Sequence, residues 1–199
     1  ERDAHRVAFN DTFAENNLDW NWSVELYGEL LAVTGGKERM KFYLDRYRPD
    51  FPRPDDLDGF VADLHKKKTM HYINFLVDKP IPLRPGVQRL LEEARREGIR
   101  LAIATTTTAQ NVFSLLENSL SPESLNWFEV IAAGNIVPAK KPAPDIYHYA
   151  LEQLDLPAEN CIAIEDSQNG IRSALGANLS TLITVSDYTR HEDFTGALL

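Results

Sequence analysis

Apolar residues in the first 80 positions recur at intervals of three and four, and no stretch there alternates in the two-residue rhythm of a strand. That pattern predicts amphipathic helices from Asp3 to Asn16, Ser23 to Val33, Glu38 to Arg48 and Asp55 to Phe75, with Ala4, Val7, Ala8 and Phe13 at helical spacing in the first. Breakers separate them: Asn16-Asn17, Gly35-Gly36, and the segment from Pro49 to Pro54 with its three prolines. Lys66-Lys67-Lys68 falls inside the fourth helix and reads as a solvated face. Lys79-Pro80-Ile81-Pro82 is then a stiff connector, because proline fixes φ and cannot continue a helix.

From Pro85 the rhythm changes. A helix from Gly86 to Glu97, closed by Gly98, leads into Ile99 to Thr105, a short continuous apolar run of the kind buried on both faces of a parallel sheet. Further strands are predicted at Phe128 to Ala133, Cys161 to Ile164 and Ser180 to Val185. Helices are predicted between them at Ala109 to Leu120, Asp145 to Leu154 and Asn169 to Gly176. Strands alternating with helices over short links argue an α/β domain built on a parallel sheet. Residues 1–80 are therefore expected to form an all-helical domain and 81–199 an α/β core.

Length and charge narrow the class. At 199 residues the chain exceeds the roughly 150 of a single typical domain. Its net charge of -9 disfavours nucleic acid and anionic membranes as partners, since both call for clustered Lys and Arg. No apolar run approaches the ~20 residues of a membrane span. The single cysteine, Cys161, excludes an intrachain disulfide and suits a reducing compartment, so a cytoplasmic protein is expected.

In open α/β sheets, ligands bind beyond the carboxyl ends of the strands, so what each strand delivers there matters most. The first ends in Thr105-Thr106-Thr107-Thr108, hydroxyls and backbone N–H groups suited to a phosphate, or simply good strand and cap residues. The next loop carries Lys140-Lys141-Pro142-Ala143-Pro144-Asp145, where prolines stiffen the backbone around a lysine that is a usable point charge for phosphate or carboxylate, although such a turn is often only a turn. The third strand ends in Glu165-Asp166-Ser167. Adjacent carboxylates against an apolar strand repel each other unless a cation compensates, and they suit Mg²⁺; the competing reading is a helix cap at Asp166 or Ser167.

Hydroxyl, lysine and acid pair in this order resemble the later motifs of the haloacid dehalogenase-like hydrolases. The chain is similar in particular to their CbbY-like branch, near β-phosphoglucomutase. The segments that carry the likeness are Val33-Thr34-Gly35-Gly36-Lys37-Glu38-Arg39, Leu83-Arg84-Pro85-Gly86-Val87, Ala104 to Thr108, Lys140 to Tyr147, Ile164 to Ser167 and Tyr188 to Glu192. The resemblance implies a Rossmannoid core with a helical cap inserted after its first strand. It implies an Mg²⁺-dependent phosphatase working through an aspartyl-phosphate. In that scheme Thr105, with Thr106, holds the phosphoryl group and Lys141 balances its charge. Asp166 binds the metal, and Glu165 does so directly or through water. Glu1, His5, Lys37 and Arg39 of the cap, with Arg190 and His191 after the last strand, would bind the rest of a sugar phosphate. Two basic sites suit a bisphosphate, and the branch points to xylulose-1,5-bisphosphate, hence to a cytoplasmic or plastid-stroma enzyme, expected as a monomer. A β-phosphoglucomutase-like mutase and a non-catalytic phosphosugar-binding domain stay open as alternatives.

The family's first motif, Asp-x-Asp-Gly on the first, central core strand, has no counterpart at the expected place. Asp56-Leu57-Asp58-Gly59 matches the letters, but it follows Pro52 and Pro54 and no apolar strand precedes it. The strand carrying the nucleophile is expected ahead of residue 1, and the 199 residues without it are expected not to fold stably alone.

Overall fold

The computed structural model describes residues 4–198, which fall into two compact units. One comprises the residues up to Gln88 together with Gln110–Leu125; the other comprises Arg89–Ala109 and Asn126–Leu199.

The first unit is helical. It contains α1 (His5–Glu15), α2 (Val24–Leu30), α3 (Gly36–Tyr47) and the long α4 (Leu57–Asp78). Its core is aromatic: Trp22 is fully buried, with its ring centroid 4.6 Å from that of Phe9, 4.9 Å from Phe13 and 5.4 Å from Tyr43. Such tilted and edge-on contacts suit the ring quadrupole and let a few large side chains bury much of the apolar surface. α2 stops earlier than its pattern predicts because a side chain takes over its carbonyls. Arg39 donates from Nε to Leu30 O at 3.1 Å and from Nη2 to Val33 O at 3.2 Å, so the chain turns instead of adding helical bonds. Asp56-Leu57-Asp58-Gly59 is a helix start. The Asp56 carboxylate accepts from Gly59 N at 2.8 Å, and Asp58 pairs with Lys41 at 2.5 Å.

The second unit holds all four strands: β1 (Ala102–Thr105), β2 (Val130–Ala133), β3 (Ile162–Glu165) and β4 (Ser180–Ile183). β1 and β2 run parallel with Ala102 opposite Val130 and Thr105 opposite Ala133. β3 and β4 run parallel with Ile162 opposite Ser180 and Glu165 opposite Ile183. α7 (Asp145–Leu154) packs on β1 and β2, and α8 (Gln168–Gly176) on β3 and β4. Ala132, Ile146, Ala163 and Ala174 are buried among them. α5 (Val87–Arg96) leads into β1, and α6 (Ala109–Ser119) leaves it.

The strands form two parallel pairs, with no ladder joining β1 to β3 among the described residues. Two expectations need correction. The strands are not buried on both faces. Along β3, Ala163 and Glu165 are buried while Ile162 is 63% and Ile164 51% exposed, because no described residue covers that face. The first strand is shorter than its apolar run. Ile99 N bonds Ala94 O at 2.8 Å to close α5, which leaves Ile99 outside the ladder and exposed.

Candidate active site

The carboxyl ends of β1 and β3 meet through one side chain. Lys141 donates from Nζ to Ala104 O, next to the end of β1, at 2.9 Å, and to the Glu165 carboxylate at the end of β3. It therefore connects the two strand pairs at the edge where the sequence motifs converge. The loop that carries it is fastened at both ends: Asp145 accepts from Ala139 N at 3.3 Å, and Ser173 of α8 donates to Ala143 O at 2.7 Å. The Lys141–Pro142 peptide is cis.

Glu165 is buried, and three neighbours fix its carboxylate. Lys141 and the Tyr147 hydroxyl both donate to Oε1. On the other side the carboxylate lies against Gly170, where a Cβ would meet Oε2 at 2.0 Å, so only glycine fits this turn of α8. Burial, and then the adjacent Glu165 charge, pushes the Tyr147 phenol far above its ordinary range, so it stays protonated and donates. Its ring lies 4.8 Å from the Lys141 ammonium. Asp166 is exposed beside it. The start of α8 is capped twice: Ser167 Oγ accepts from Gly170 N at 3.1 Å, and Glu192 accepts from Gln168 N at 2.5 Å.

Mg²⁺ usually takes one or two protein carboxylates and shares its remaining positions with water and phosphate. The exposed Asp166 carboxylate suits that demand, whereas the Glu165 carboxylate is buried and already engaged by Lys141 and the Tyr147 hydroxyl. No group of three or more potential metal ligands occurs among the described residues.

Thr105 and Thr106 lie half-buried at the end of β1, with Thr105 Oγ1 accepting from Thr107 N at 3.3 Å. Thr105, Lys141, Glu165 and Asp166 thus come from one edge of the second unit. Arg190 and His191 belong to the same unit on an exposed loop, where Arg190 pairs with Asp187 at 2.7 Å.

The remaining predicted residues belong to the helical unit, apart from Glu1, which lies outside the described residues. Lys37 is half-buried near the start of α3. Arg39 is buried, and its guanidinium is engaged by Leu30 O, Val33 O and the Tyr27 hydroxyl. His5 stacks on Tyr72 with centroids 4.0 Å apart, and its Nδ1 lies 2.9 Å from Lys68 Nζ. Lys68 corrects the reading of the lysine run as a solvated face. Lys66 and Lys67 are exposed, but Lys68 is 4% exposed, its ammonium over the rings of Phe9 and Tyr72. The signal was in the spacing: Leu64, Lys68, Tyr72 and Leu76 form one i, i+4 stripe, and all four are buried.

The model of the haloacid dehalogenase-like hydrolases matches residues 2–178. The chain belongs to that family. Among its relatives, the protein CbbY of Cereibacter sphaeroides is 47% identical over 193 residues, spanning 97% of this chain and 82% of that protein. A CBBY-like protein of Arabidopsis thaliana is 40% identical over 200 residues, or 99% of this chain and 62% of that one. A crystal structure of mutant CbbY from Rhodobacter sphaeroides in complex with xylulose-(1,5)-bisphosphate superposes with a TM-score of 0.90 at 47% identity, covering 97% of this chain and 84% of that one. The chain is accordingly an enzyme, a haloacid dehalogenase-like phosphatase with the α/β fold of that family. No described helix is long and apolar enough to cross a membrane.

Proposed function

We propose that the protein hydrolyses a phosphate ester of a sugar bisphosphate, with xylulose-1,5-bisphosphate as substrate and Mg²⁺ as cofactor. The observation that carries this reading is the Lys141 ammonium held between Ala104 O and Glu165, beside Thr105 and Asp166. The complex of a 47% identical CbbY with that bisphosphate supports the choice of substrate.

Phosphoryl transfer asks a protein mainly to position the ester and neutralise the charge that spreads over the moving group. Lys141 supplies a fixed positive charge, and the Thr105 hydroxyl and neighbouring N–H groups donate to phosphoryl oxygens. Asp166, with Glu165, would hold Mg²⁺, which would offset further negative charge on the phosphate. The attacking carboxylate is an aspartate on a further strand lying between β1 and β3. It forms an O–P bond as the ester P–O bond breaks, the sugar oxygen takes up a proton, and water then cleaves the acyl phosphate. The single-sided pairing of β1 and β3 and the exposure of Ile162 and Ile164 support that strand. Arg190 and His191, exposed on a loop of the second unit, serve the rest of the substrate.

Phosphate release from xylulose-1,5-bisphosphate in the presence of Mg²⁺, measured for the protein and its Lys141→Ala variant, tests the reading. The variant is expected to lose on the order of 10²–10³ in kcat, with thermal unfolding near that of the parent. Full activity in the variant would remove Lys141 from the mechanism, and no release by the parent would overturn the substrate.

A further inference from the structure

We infer that Tyr147 is a positioning residue for Lys141, setting the direction of its ammonium through two separate holds, one by the ring and one by the hydroxyl. The inference rests on the phosphatase reading for its kinetic consequence and on geometry alone for the placement of the lysine.

A lysine ammonium has three N–H donors on a four-carbon stem and no intrinsic direction. Here two donors are directed, one to Ala104 O and one to Glu165 Oε1. The face of Tyr147 lies 4.8 Å from the same nitrogen, which favours the cation and blocks one side of it. The Tyr147 hydroxyl donates to the oxygen that Lys141 uses. Because that oxygen is shared, Glu165 offsets less of the lysine's charge, and with two of three N–H donors directed the third can turn to a phosphate oxygen. Tyr147 is itself rigidly seated: it is 8% exposed, on the first turn of α7, and packs in the core with Ile146 and Ala150. Its backbone N bonds Pro144 O at 2.9 Å, tying it to the loop that carries Lys141. Ring, hydroxyl, lysine and carboxylate therefore move as one group.

The two holds separate by substitution. Tyr147→Phe keeps the ring and removes the hydroxyl; Tyr147→Leu removes both. Steady-state hydrolysis of xylulose-1,5-bisphosphate should show kcat lowered about tenfold for Phe, from one lost hydrogen bond to a charged group, and further for Leu, with KM within about threefold of the parent in both. A second readout needs no reaction. In the ligand-free protein, a brief pulse of an acetylating N-hydroxysuccinimide ester, read by mass spectrometry, should label Lys141 about threefold faster in Tyr147→Leu, the scale of one lost cation–π contact. Labelling of the exposed Lys66 and Lys67 should stay unchanged, and Tyr147→Phe should label like the parent. The inference is overturned if Tyr147→Phe keeps the parent kcat, or if labelling in Tyr147→Leu is unchanged or rises equally at all lysines. If Tyr147→Leu does not fold, the kcat of Tyr147→Phe decides. Because the labelling arm involves no turnover, it stands or falls independently of the substrate assignment.

Discussion

Arg39 shows how a residue that looks like a ligand contact serves as a structural clamp. Its guanidinium reaches two carbonyls and a hydroxyl in fixed directions, with its centre 5.2 Å from the Tyr27 ring, and a lysine cannot reproduce that fork. Arg39→Lys should leave Leu30 O and Val33 O poorly satisfied in a buried place and destabilise the protein by about 3 kcal/mol. Denaturant unfolding of the variant measures this, and a loss confined to KM with unaltered stability would instead favour direct contact with substrate. At this scale the places of Thr105 and Glu165 at strand ends, and of Lys141 in a proline-stiffened turn, were legible, because each follows an apolar run or sits between breakers whose position the topology dictates. Tyr147, named only within the Lys140 to Tyr147 likeness, was given no role because a tyrosine in an apolar helix reads as packing; its polar tip matters only once Glu165 is placed beside it. Lys68 was concealed by its exposed neighbours Lys66 and Lys67, although the four-residue stripe contained it.

Among elements, the amino ends of β1 and β2 are strapped to the end of α7 by Arg100. It donates to both Glu129 carboxylate oxygens, at 2.7 and 2.5 Å, and to Leu154 O at 2.7 Å, where a cation also meets the negative end of the helix. The Arg100 hydrogen bonds hold the Glu129 carboxyl below its ordinary range. A depressed folded-state value means that the strap's stabilisation is complete above the unfolded carboxylate range and fades as pH falls through the lower value. Glu129→Gln should therefore melt below the parent near neutral pH, with the two melting temperatures converging below about pH 4; a gap independent of pH would rule the ion pair out. Helices were legible nearly to their ends, since their apolar stripes and breakers are local. The strands were placed correctly, but three of the four were read too long, because a run such as Ile99 to Thr105 does not reveal which of its N–H groups finds a ladder and which closes the preceding helix.

For the whole molecule, the decisive feature is the second unit's division into two strand pairs. Edges of β1 and β3 present backbone groups without ladder partners, and Ile162 and Ile164 add apolar surface beside them. Such edges invite pairing with whatever chain is near. If a further strand fills the space, hydrogen exchange should protect the outward rows of amides on β1 and β3 as well as the inward ones. Rapid exchange of the outward rows would refute the added strand. Periodicity could establish parallel strands between helices, but pairing order is a long-range property that no local run of residues encodes.

The ion pair between Lys141 and Glu165 has a bearing on the end of the catalytic cycle. Part of the lysine's charge is offset by its own carboxylate, so an incoming anion competes with that internal partner for the ammonium. Inorganic phosphate, small and without a sugar to anchor it, competes poorly against that internal partner, so the resting geometry itself favours departure of the product.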